Sequence, residues 1–261
     1  MARSTSVEWK GRSVLITGAT SGIGEAFAER LAAGGANVLA TGRNVGALTA
    51  LRARFPMIAT VACDLSGLPG LRMLVAAAVS HFGAGRAAGS LDMLINNAGS
   101  MAEVDFLGQA DDPAGVTDEQ IMQEASANLV APILLTRHLL PLLRSGRDPV
   151  VVMISSGYAL LPATRAPTYS ATKAGLHSFS LSLRRQLKPA GIRVVEVIPP
   201  LVDTPRTKSA SGKKMPVATL VELSLRGIGS GRDEILPGQV ALLPMLMRIA
   251  PGFAANLMAR N

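Results

Sequence analysis

Short apolar runs alternate with longer segments of helical periodicity along most of this chain. Six apolar or β-branched runs predict β-strands, at Ser13–Thr17, Asn37–Thr41, Met57–Ala62, Leu91–Asn96, Pro149–Ser155 and Ile192–Ile198. Five further segments predict α-helices, at Gly22–Ala33, Val45–Ala53, Leu68–Phe82, Thr117–Leu143 and Pro167–Lys188. Strands that are apolar on both faces and separated by helices are typical of a parallel sheet covered on both sides. The pattern therefore predicts an α/β fold with a doubly wound parallel sheet.

Two stretches outside these elements are less regular. Ser100–Gly115 and Pro205–Pro216 are rich in glycine, proline, serine or charge, and both predict loops. Pro205–Pro216 falls within a segment, about 204–216, that we expect to form a lid over the substrate. We expect this lid to be mobile, because few apolar side chains are available to offset the entropy lost when it becomes ordered. The C-terminal tail, about 239–261, is strongly apolar. We expect this tail to pack in the core or between subunits, with attachment to a membrane surface as the alternative.

Length and composition narrow the possible functions. The 261 residues show no compositional break, so a single domain spanning 1–261 is expected. The net charge of +8 suits an anionic ligand, but the few aromatic residues and the absence of a basic arm argue against nucleic acid. The single cysteine, Cys63, excludes an internal disulfide and fits the reducing cytoplasm. The polar N-terminus predicts no signal peptide, and no apolar run is long enough to predict a membrane span.

The most specific local pattern directly follows the first predicted strand. The turn Thr17–Gly24 joins this strand to the first helix and contains three glycines, Gly18, Gly22 and Gly24. A strand, a glycine turn and a helix in this order place free backbone N–H groups and the positive helix end against a pyrophosphate. The turn therefore predicts a Rossmann-type dinucleotide site that also includes Thr20, Ser21 and Ile23. A purely conformational role is the alternative for the glycines taken alone.

The ends of the second and third strands bear on which dinucleotide is bound. An acidic residue after the second strand would accept hydrogen bonds from the adenosine ribose, whereas an arginine would meet a 2′-phosphate. Arg43 stands there, and we expect NADP(H) rather than NAD(H); an exposed arginine at a helix start is the alternative. Asp64 and Leu65 end the third strand, where the carboxylate of Asp64 would accept from the adenine amino group. A helix cap is an equally compatible role for Asp64.

Small and amide residues follow the fourth predicted strand. Asn96 and Asn97 precede Ala98 and Gly99, which would let the backbone pass close beneath a flat ligand. The paired amides are suited to tie neighbouring strand ends together. A structural turn is the alternative for this segment alone.

Four polar side chains further along have the chemistry for proton transfer at a bound oxygen. Tyr169 and Lys173 are four residues apart and share one helix face. A phenol has an unperturbed pKa of about 10, and a nearby ammonium favours its ionised form, so we expect a lowered pKa for Tyr169. Ser156, at the end of the fifth strand, is placed to hydrogen-bond the same oxygen. Asn128, an amide among apolar residues of the long helix, is suited to hold a water that links Lys173 to solvent.

Together these motifs resemble those of the short-chain dehydrogenase/reductase family in its single-domain form. The resemblance extends from Ser13 to about Val202 and rests on the turn Thr17–Gly24, on Asn96–Gly99 and on Tyr169–Lys173. It implies an enzyme that transfers a hydride between NADP(H) and a carbonyl or secondary alcohol of a small molecule.

The same resemblance implies roles for the four polar residues. Tyr169 would exchange a proton with the substrate oxygen, and Ser156 would orient and polarise that oxygen. Lys173 would bind the nicotinamide ribose and lower the pKa of Tyr169, and Asn128 would maintain the relay water. The long helices that carry Asn128 and Tyr169 usually pair between subunits in this family, so a homodimer or homotetramer is expected.

One segment departs from the family pattern Pro-Gly-x-Val-x-Thr. Here it reads Pro199-Pro200-Leu201-Val202-Asp203-Thr204. Val202 and Thr204 keep their places, so contacts of Pro199, Val202 and Thr204 with the nicotinamide carboxamide are still expected, while Pro200 stiffens the loop. Together with the segment Asp233–Gln239, this makes the chain similar to the bacterial DltE-like subgroup, which implies nothing about the substrate.

Other features allow more than one interpretation. Tyr158, Leu160, Leu161 and Pro162 predict a mostly apolar substrate wall. The basic lid residues Arg206, Lys208, Lys213 and Lys214 would either recruit an anionic or carrier-linked substrate or form a solvated loop. His81, His138 and His177 lack metal-ligand spacing, so no metal site is expected.

Two other classes of protein share part of the pattern. A non-catalytic NAD(P)-sensing or interaction protein would use the same fold but has little need for Asn128, Ser156, Tyr169 and Lys173. A methyltransferase that uses S-adenosylmethionine also has a glycine turn after its first strand, but gives Tyr169 and Lys173 no role.

Overall fold

A seven-stranded parallel sheet forms the centre of the computed structural model, which describes residues 9–83, 89–106 and 116–253. Its strands, in the spatial order β3-β2-β1-β4-β5-β6-β9, are β1 Ser13–Thr17, β2 Asn37–Gly42, β3 Ala59–Ala62, β4 Met93–Asn96, β5 Val150–Ile154, β6 Arg193–Val197 and β9 Glu234–Ile235. Two short strands, β7 Val202–Asp203 and β8 Met215–Pro216, pair with each other apart from this sheet. The chain passes from β3 at one edge back to β4 beside β1, so the strand order reverses between β1 and β4. Ligands of doubly wound sheets bind at such a reversal, outside the carboxyl ends of the strands.

Helices cover both faces of the sheet. They are α1 Gly22–Ala33, α2 Val45–Arg54, α3 Leu68–Gly83, α4 Asp118–Ala125, α5 Ala131–Arg144, α6 Pro167–Leu187, α7 Val217–Gly229 and α8 Leu243–Ile249. A π-helical turn, Ser126–Val130, joins α4 to α5. Short 3₁₀ segments lie at Gly157–Ala159, Lys188–Ala190, Pro205–Thr207 and Gly238–Leu242. Buried residues of α1, α2 and α7 share one apolar cluster with the sheet, and those of α3, α5 and α6 share the other.

The alternation of side chains along β5 explains why its sequence is apolar throughout. All five residues from Val150 to Ile154 are buried. Val152 and Ile154 belong to the cluster under α1 and α7, whereas Val151 and Met153 belong to the cluster under α5 and α6. Because successive strand residues point to opposite faces, a strand covered on both sides must be apolar at every position.

The predicted doubly wound sheet is confirmed, and the first strand and first helix have the predicted bounds. Helix α7 and strand β9 were not predicted, and the loop predicted over Pro205–Pro216 is wrong at its end, where Met215 and Pro216 form β8. β8 and β9 have only two residues each, too few for a period of two to be visible. Of the predicted loop Ser100–Gly115, residues 107–115 lie outside the described part.

Helix Asp118–Arg144 is, among the described residues, the one helix with the length and apolar composition of a membrane span. Its residues Leu135, Leu139 and Leu143 are buried in the cluster beneath the sheet. Their burial identifies this segment as a core helix of the α/β fold.

The C-terminal tail differs from the core packing that its composition suggested. Val240 is buried, but helix α8 has no buried residue. Leu242, Met245, Ile249 and Phe253 are each more than 60% exposed. Apart from Val240, the apolar side chains of the described tail are therefore not packed in the core of the same chain. Residues 254–261 lie outside the described part.

The carboxyl ends of β1 and β4 approach each other with no room for side chains. A Cβ atom on Gly18 would lie 2.8 Å from Cα of Ala98. A Cβ atom on Gly24 would lie 2.2 Å from the carbonyl oxygen of Gly18 and 2.4 Å from Nδ2 of Asn97. These backbone contacts, rather than glycine's flexibility, make Gly24 obligatory inside a helix.

Gly24→Ala is expected to lower the free energy of unfolding by about 2 kcal/mol or more, because the added methyl group collides with backbone that cannot move aside. Urea denaturation followed by circular dichroism measures this change. Gly46→Ala is the matched control, since Gly46 is exposed in α2 and a Cβ there would lie 3.4 Å from its nearest neighbour, Oδ1 of Asn44. Gly46→Ala should stabilise the protein by up to about 1 kcal/mol. Equal effects of the two variants would contradict the close contact of Gly24 with the carbonyl oxygen of Gly18.

Candidate active site

The glycine turn forms a cradle at the N-terminal end of α1. Gly18 and Gly22 have φ angles of +68° and +58°, a region that side chains disfavour. Ser21 precedes the helix with an extended backbone, and its side chain does not cap the helix. Unpaired backbone N–H groups and the helix dipole therefore face the space outside the carboxyl end of β1. A cradle without side chains at a positive helix end fits a pyrophosphate group.

Asn97 fixes this cradle to the next strand. Its Nδ2 donates to the carbonyl oxygens of Thr17 and Gly18, at 3.0 and 3.1 Å. The hydroxyl of Thr17 accepts from the backbone N–H groups of Asn97 and Ala98, at 2.9 and 3.0 Å. The predicted tie between neighbouring strand ends is confirmed for Asn97, whereas Nδ2 of Asn96 points to Met153 Sδ at 3.4 Å.

The end of β2 lies against the glycine turn. A Cβ on Gly42 would lie only 2.4 Å from Cγ2 of Thr20, so Arg43 follows a backbone segment in contact with the turn. Arg43 is exposed, and Asn44 rather than Arg43 caps α2 by accepting from the N–H of Ala47 at 3.0 Å. The position of Arg43 is therefore suited to meet a ligand that leaves the cradle along β2.

Asp64 and Leu65 follow β3 as expected. Oδ1 of Asp64 accepts from the backbone N–H of Ser66 at 3.0 Å, so the carboxylate closes a local turn. Asp64 is exposed at the carboxyl edge of the sheet, while Leu65 is buried. The turn accounts for Asp64 without a ligand, and one carboxylate oxygen is still available to a ligand.

Tyr169, Lys173 and Ser156 come together beyond the end of β5. Nζ of Lys173 donates to the carbonyl oxygen of Ile154 at 2.9 Å and lies 5.6 Å from the ring centroid of Tyr169. The Ser156 side chain lies close enough to the phenol of Tyr169 to favour its ionised form. Lys173 is 4% exposed, so its ammonium group is buried beneath the phenol. The helical spacing predicted this shared face correctly.

Asn128 lies in the π-helical turn between α4 and α5 and is fully buried. Its Oδ1 accepts from the N–H of Ser100 at 2.8 Å, and its Nδ2 donates to the carbonyl of Ser100 at 2.8 Å and to Oγ1 of Thr172 at 3.1 Å. Both amide protons therefore have protein partners, and only Oδ1 retains a lone pair for a water. π-helical turns are rare and concentrate at functional sites.

Gly99 lies close to both the side-chain amide of Asn128 and the ammonium of Lys173. A Cβ atom on Gly99 would lie 2.7 Å from Oδ1 of Asn128 and 3.8 Å from Nζ of Lys173. The Gly99 backbone thus passes close to two polar side chains, and its passage beneath a flat ligand stays a prediction. Asn128, Ser156, Tyr169 and Lys173 form one continuous polar cluster around this glycine and the end of β5.

Burial dominates the ionisation of this cluster. Burial raises the pKa of Tyr169 above its ordinary value, while the charge of Arg206 and the hydrogen bond with Ser156 act in the opposite direction. Burial also lowers the pKa of Lys173 to about 8; Arg206 adds to this shift, and Glu196 and Glu124 oppose it. The predicted lowering of the Tyr169 pKa is wrong, because desolvation of the phenolate outweighs the positive charge of Arg206.

The lid segment, residues 204–216, begins beside the glycine turn. A Cβ on Gly22 would lie 3.1 Å from Cγ2 of Thr204. Val202, in β7, is buried and pairs with Met215, and the carbonyl of Pro199 accepts from the N–H of Gly157 at 3.3 Å. Pro199, Val202 and Thr204 thus link the ends of β5 and β6 to the cradle. Their contacts with a nicotinamide carboxamide stay a prediction.

Two buried carboxylates near the cluster were missed by sequence reasoning. Glu124, one helical turn before Asn128, accepts from the N–H of Ala102 at 3.0 Å and from the Thr168 hydroxyl at 2.5 Å. Glu196, on β6, contacts Nδ1 of His177 through Oε2 at 2.7 Å. The spacing of Glu124 and Asn128 was a readable signal, whereas the pairing of Glu196 with His177 depends on tertiary structure. Within the described ranges, no group of three or more His, Cys, Asp or Glu residues is arranged to hold a metal ion.

The buried ammonium of Lys173 gives a pH-dependent stability. Its folded-state pKa of about 8 lies below the ordinary value of 10.5. The unfolded chain therefore binds more protons between these values, and the contribution of this group to stability rises with pH across that window. The full shift corresponds to about 3 kcal/mol of destabilisation at neutral pH.

Lys173→Met should therefore raise the free energy of unfolding at pH 7 by about 1–2 kcal/mol, less than the full shift because the bond to Ile154 is lost. The gain should disappear as the pH rises from 8 toward 10.5. Urea denaturation at a series of pH values measures it. Lys188→Met, at an exposed position after α6, is the control. A gain in stability that does not change with pH would contradict the conclusion that burying the charged ammonium of Lys173 destabilises the fold.

Comparison with known proteins agrees with this geometry. The family model described as short chain dehydrogenase matches residues 12–214. A Bacillus subtilis protein with the name "Uncharacterized oxidoreductase DltE" is 33% identical over 231 residues, which cover 85% of this chain and 86% of that protein. The predicted similarity to DltE is confirmed.

Solved structures show the same fold. A short chain dehydrogenase from Burkholderia cenocepacia in complex with NADP has a TM-score of 0.81 at 21% identity, covering 96% of this chain and 98% of its own. A short chain dehydrogenase/reductase from Burkholderia phymatum in complex with NAD has a TM-score of 0.77 at 23% identity, covering 92% of each chain. With the family model matched over most of its length, the chain belongs to the short-chain dehydrogenase/reductase family.

Proposed function

We propose that this protein is an NADP(H)-dependent oxidoreductase that interconverts a carbonyl group and a secondary alcohol, with Tyr169 as the general acid and base. The observation that carries the proposal is the position of Tyr169. Its phenol contacts Ser156, with the Lys173 ammonium 5.6 Å from its ring, next to a glycine cradle suited to a dinucleotide. A non-catalytic sensor would need the cradle but not this buried cluster.

The residues present fit a nicotinamide dinucleotide. Gly18, Gly22 and the N-terminus of α1 would hold its pyrophosphate, and Thr20, Ser21, Ile23 and Gly24 would complete that turn. The adenosine half of the cofactor would extend past Arg43, Asp64 and Leu65. The nicotinamide half would lie against the remaining predicted contacts, which are Asn97, Ala98, Gly99, Pro199, Val202, Thr204, Tyr169 and Lys173. When bound, the cofactor supplies or accepts the hydride.

Tyr169 donates its phenolic proton to the substrate oxygen as the carbonyl carbon is reduced. Ser156 hydrogen-bonds the same oxygen and stabilises its developing negative charge. Since burial raises the pKa of Tyr169, the phenol holds its proton at neutral pH. This protonation state favours reduction of a carbonyl near neutral pH, whereas oxidation of an alcohol needs the phenolate and therefore a more alkaline solution.

Lys173 and Asn128 support the proton transfer. The ammonium of Lys173 stabilises the phenolate that remains after donation, and it binds the nicotinamide ribose. The free lone pair on Oδ1 of Asn128 faces Gly99 beside Lys173 and would accept from a relay water. Such a water would return a proton from solvent to the cluster after each turnover.

We also propose that the enzyme is a cytoplasmic homodimer or homotetramer. The helix that contains Asn128 exposes Met122 and Val130, at 66% and 44%, although its other face is in the core. An apolar surface on a helix already packed against the sheet supports pairing with a second copy. The free cysteine, Cys63, agrees with a reducing compartment.

Tyr169→Phe is expected to lower kcat by about 10²- to 10⁴-fold, because the variant lacks the proton donor while the ring packing remains. Oxidation of NADPH at 340 nm with a panel of ketones and aldehydes measures the rate, and circular dichroism checks the fold. Cofactor affinity should change little. If wild type reduces a substrate and the variant does so equally well, the mechanism is wrong. If wild type reduces no member of a broad panel but binds NADPH, the sensor function is favoured.

Arg43→Asp is expected to weaken NADPH binding by about 10- to 100-fold, since a guanidinium–phosphate pair is replaced by charge repulsion. Binding of NADH should stay equal or improve. Fluorescence titration of both cofactors measures the preference. Arg72→Asp, at an exposed position in α3, makes the same change of charge away from the cradle and should have no such effect. Wild-type protein that binds NADH as tightly as NADPH would refute the assignment.

A further inference from the structure

The lid segment places one guanidinium group directly at the polar cluster. Nη2 of Arg206 donates to the carbonyl oxygen of Gly99. Gly99 is the residue that contacts Asn128 and Lys173, since a Cβ there would lie 2.7 Å from the amide oxygen and 3.8 Å from the ammonium. Arg206 therefore reaches from the lid to the backbone segment that borders the polar cluster.

The charge of Arg206 also acts on the two ionisable side chains of the cluster. Its charge lowers the pKa of Tyr169 and the pKa of Lys173, and in each case it is the largest contribution after burial. A positive charge favours a neighbouring phenolate and disfavours a neighbouring ammonium. Arg206 is itself exposed to solvent, so its guanidinium is also accessible to a ligand.

The backbone that carries Arg206 is held in place. Thr204 and Thr207 cap the 3₁₀ turn Pro205–Thr207 reciprocally, with the Thr204 N–H donating to Oγ1 of Thr207 at 3.1 Å. The Thr207 hydroxyl also donates to the carbonyl of Val202 at 2.5 Å, which ties the turn to β7. These bonds hold the backbone of the turn, so the Cα atom of Arg206 has a fixed position next to β7.

Within residues 9–83, 89–106 and 116–253, no carboxylate forms an ion pair with Arg206. The bond to Gly99 uses one of five guanidinium donors. Lys214, by contrast, donates to the carbonyl of Lys208 at 3.1 Å and so closes the lid on itself. Of these basic lid residues, Arg206 is the one that the structure directs toward the cluster.

We infer that Arg206 binds a carboxylate of the substrate, so that the protein reduces keto acids or oxidises the corresponding hydroxy acids. The inference rests on the proposed function, because it places the carboxylate beside a carbonyl that Tyr169 protonates. A planar guanidinium matches one carboxylate through two parallel hydrogen bonds. The cofactor pyrophosphate is a less suitable partner, because the N-terminus of α1 already provides backbone donors for it.

The test compares acids with their uncharged esters. Wild type, Arg206→Met and Arg206→Lys are assayed with NADPH and with 2-oxobutyrate, acetoacetate and levulinate, each beside its methyl ester. Wild type should prefer at least one acid over its ester by 10-fold or more in kcat/KM. Arg206→Met should lower kcat/KM for that acid by about 10- to 100-fold, mainly through KM, and leave the ester within about threefold. Arg206→Lys should recover part of the loss, since it keeps the charge but not the planar fork.

Lys208→Met is the matched control. It removes one positive charge at an exposed position two residues after Arg206, and it should behave as wild type. Calorimetric titration of the three acids into wild type and Arg206→Met saturated with NADP⁺ gives a readout independent of turnover. Wild type should bind an acid that the variant does not bind. The inference is overturned if the esters are used as well as the acids, if no acid binds to wild type, or if Arg206→Met weakens NADPH instead. In the first and last of these cases Tyr169→Phe would still abolish reduction, so the proposed function would survive.

Discussion

The contact between the end of β1 and the end of β4 is the constraint on which the rest of the molecule depends. Asn97 joins the two strands through the carbonyls of Thr17 and Gly18, and Gly24 must lack a side chain for this to happen. The same contact sets the position of Gly99, three residues after β4. Because Gly99 in turn contacts Asn128 and Lys173, the dinucleotide cradle and the polar cluster share one backbone segment. Neither can shift without the other.

The polar cluster illustrates how a fold tolerates groups that burial disfavours. Lys173 loses hydration and regains one hydrogen bond, to Ile154, while two carboxylates, Glu124 and Glu196, support its charge from a distance. Arg206 opposes that support, yet it favours the ionised form of Tyr169. The net effect moves the two pKa values apart: that of Tyr169 is raised, so the phenol retains its proton, and that of Lys173 is lowered, so the ammonium loses its proton more readily. Local instability of this kind is typical of sites organised for chemistry rather than for folding.

The sequence predicted the sheet and most of the cluster because both depend on local regularities. The glycine turn, the helical spacing of Tyr169 and Lys173, and the apolar strands are short-range patterns. Helix α7 was also readable, from Leu220, Val221, Leu225 and Ile228, and was overlooked. The role of Arg206 was not readable, since four basic residues of the lid look alike until a fold directs one of them toward Gly99. The raised pKa of Tyr169 was mispredicted because desolvation is a property of the packed structure.

The two-residue strands β7 and β8 pair with each other at the base of the lid segment, so the chain between them forms a loop whose ends are held together. The entropic cost of closing a flexible loop grows only slowly with its length, by about 0.6 kcal/mol for each doubling. Insertions or deletions between Thr207 and Lys214 would therefore alter the surface above the cluster at little expense in stability. The pairing of β7 with β8 therefore separates a segment that can change in length from helix α6, which carries Tyr169 and Lys173.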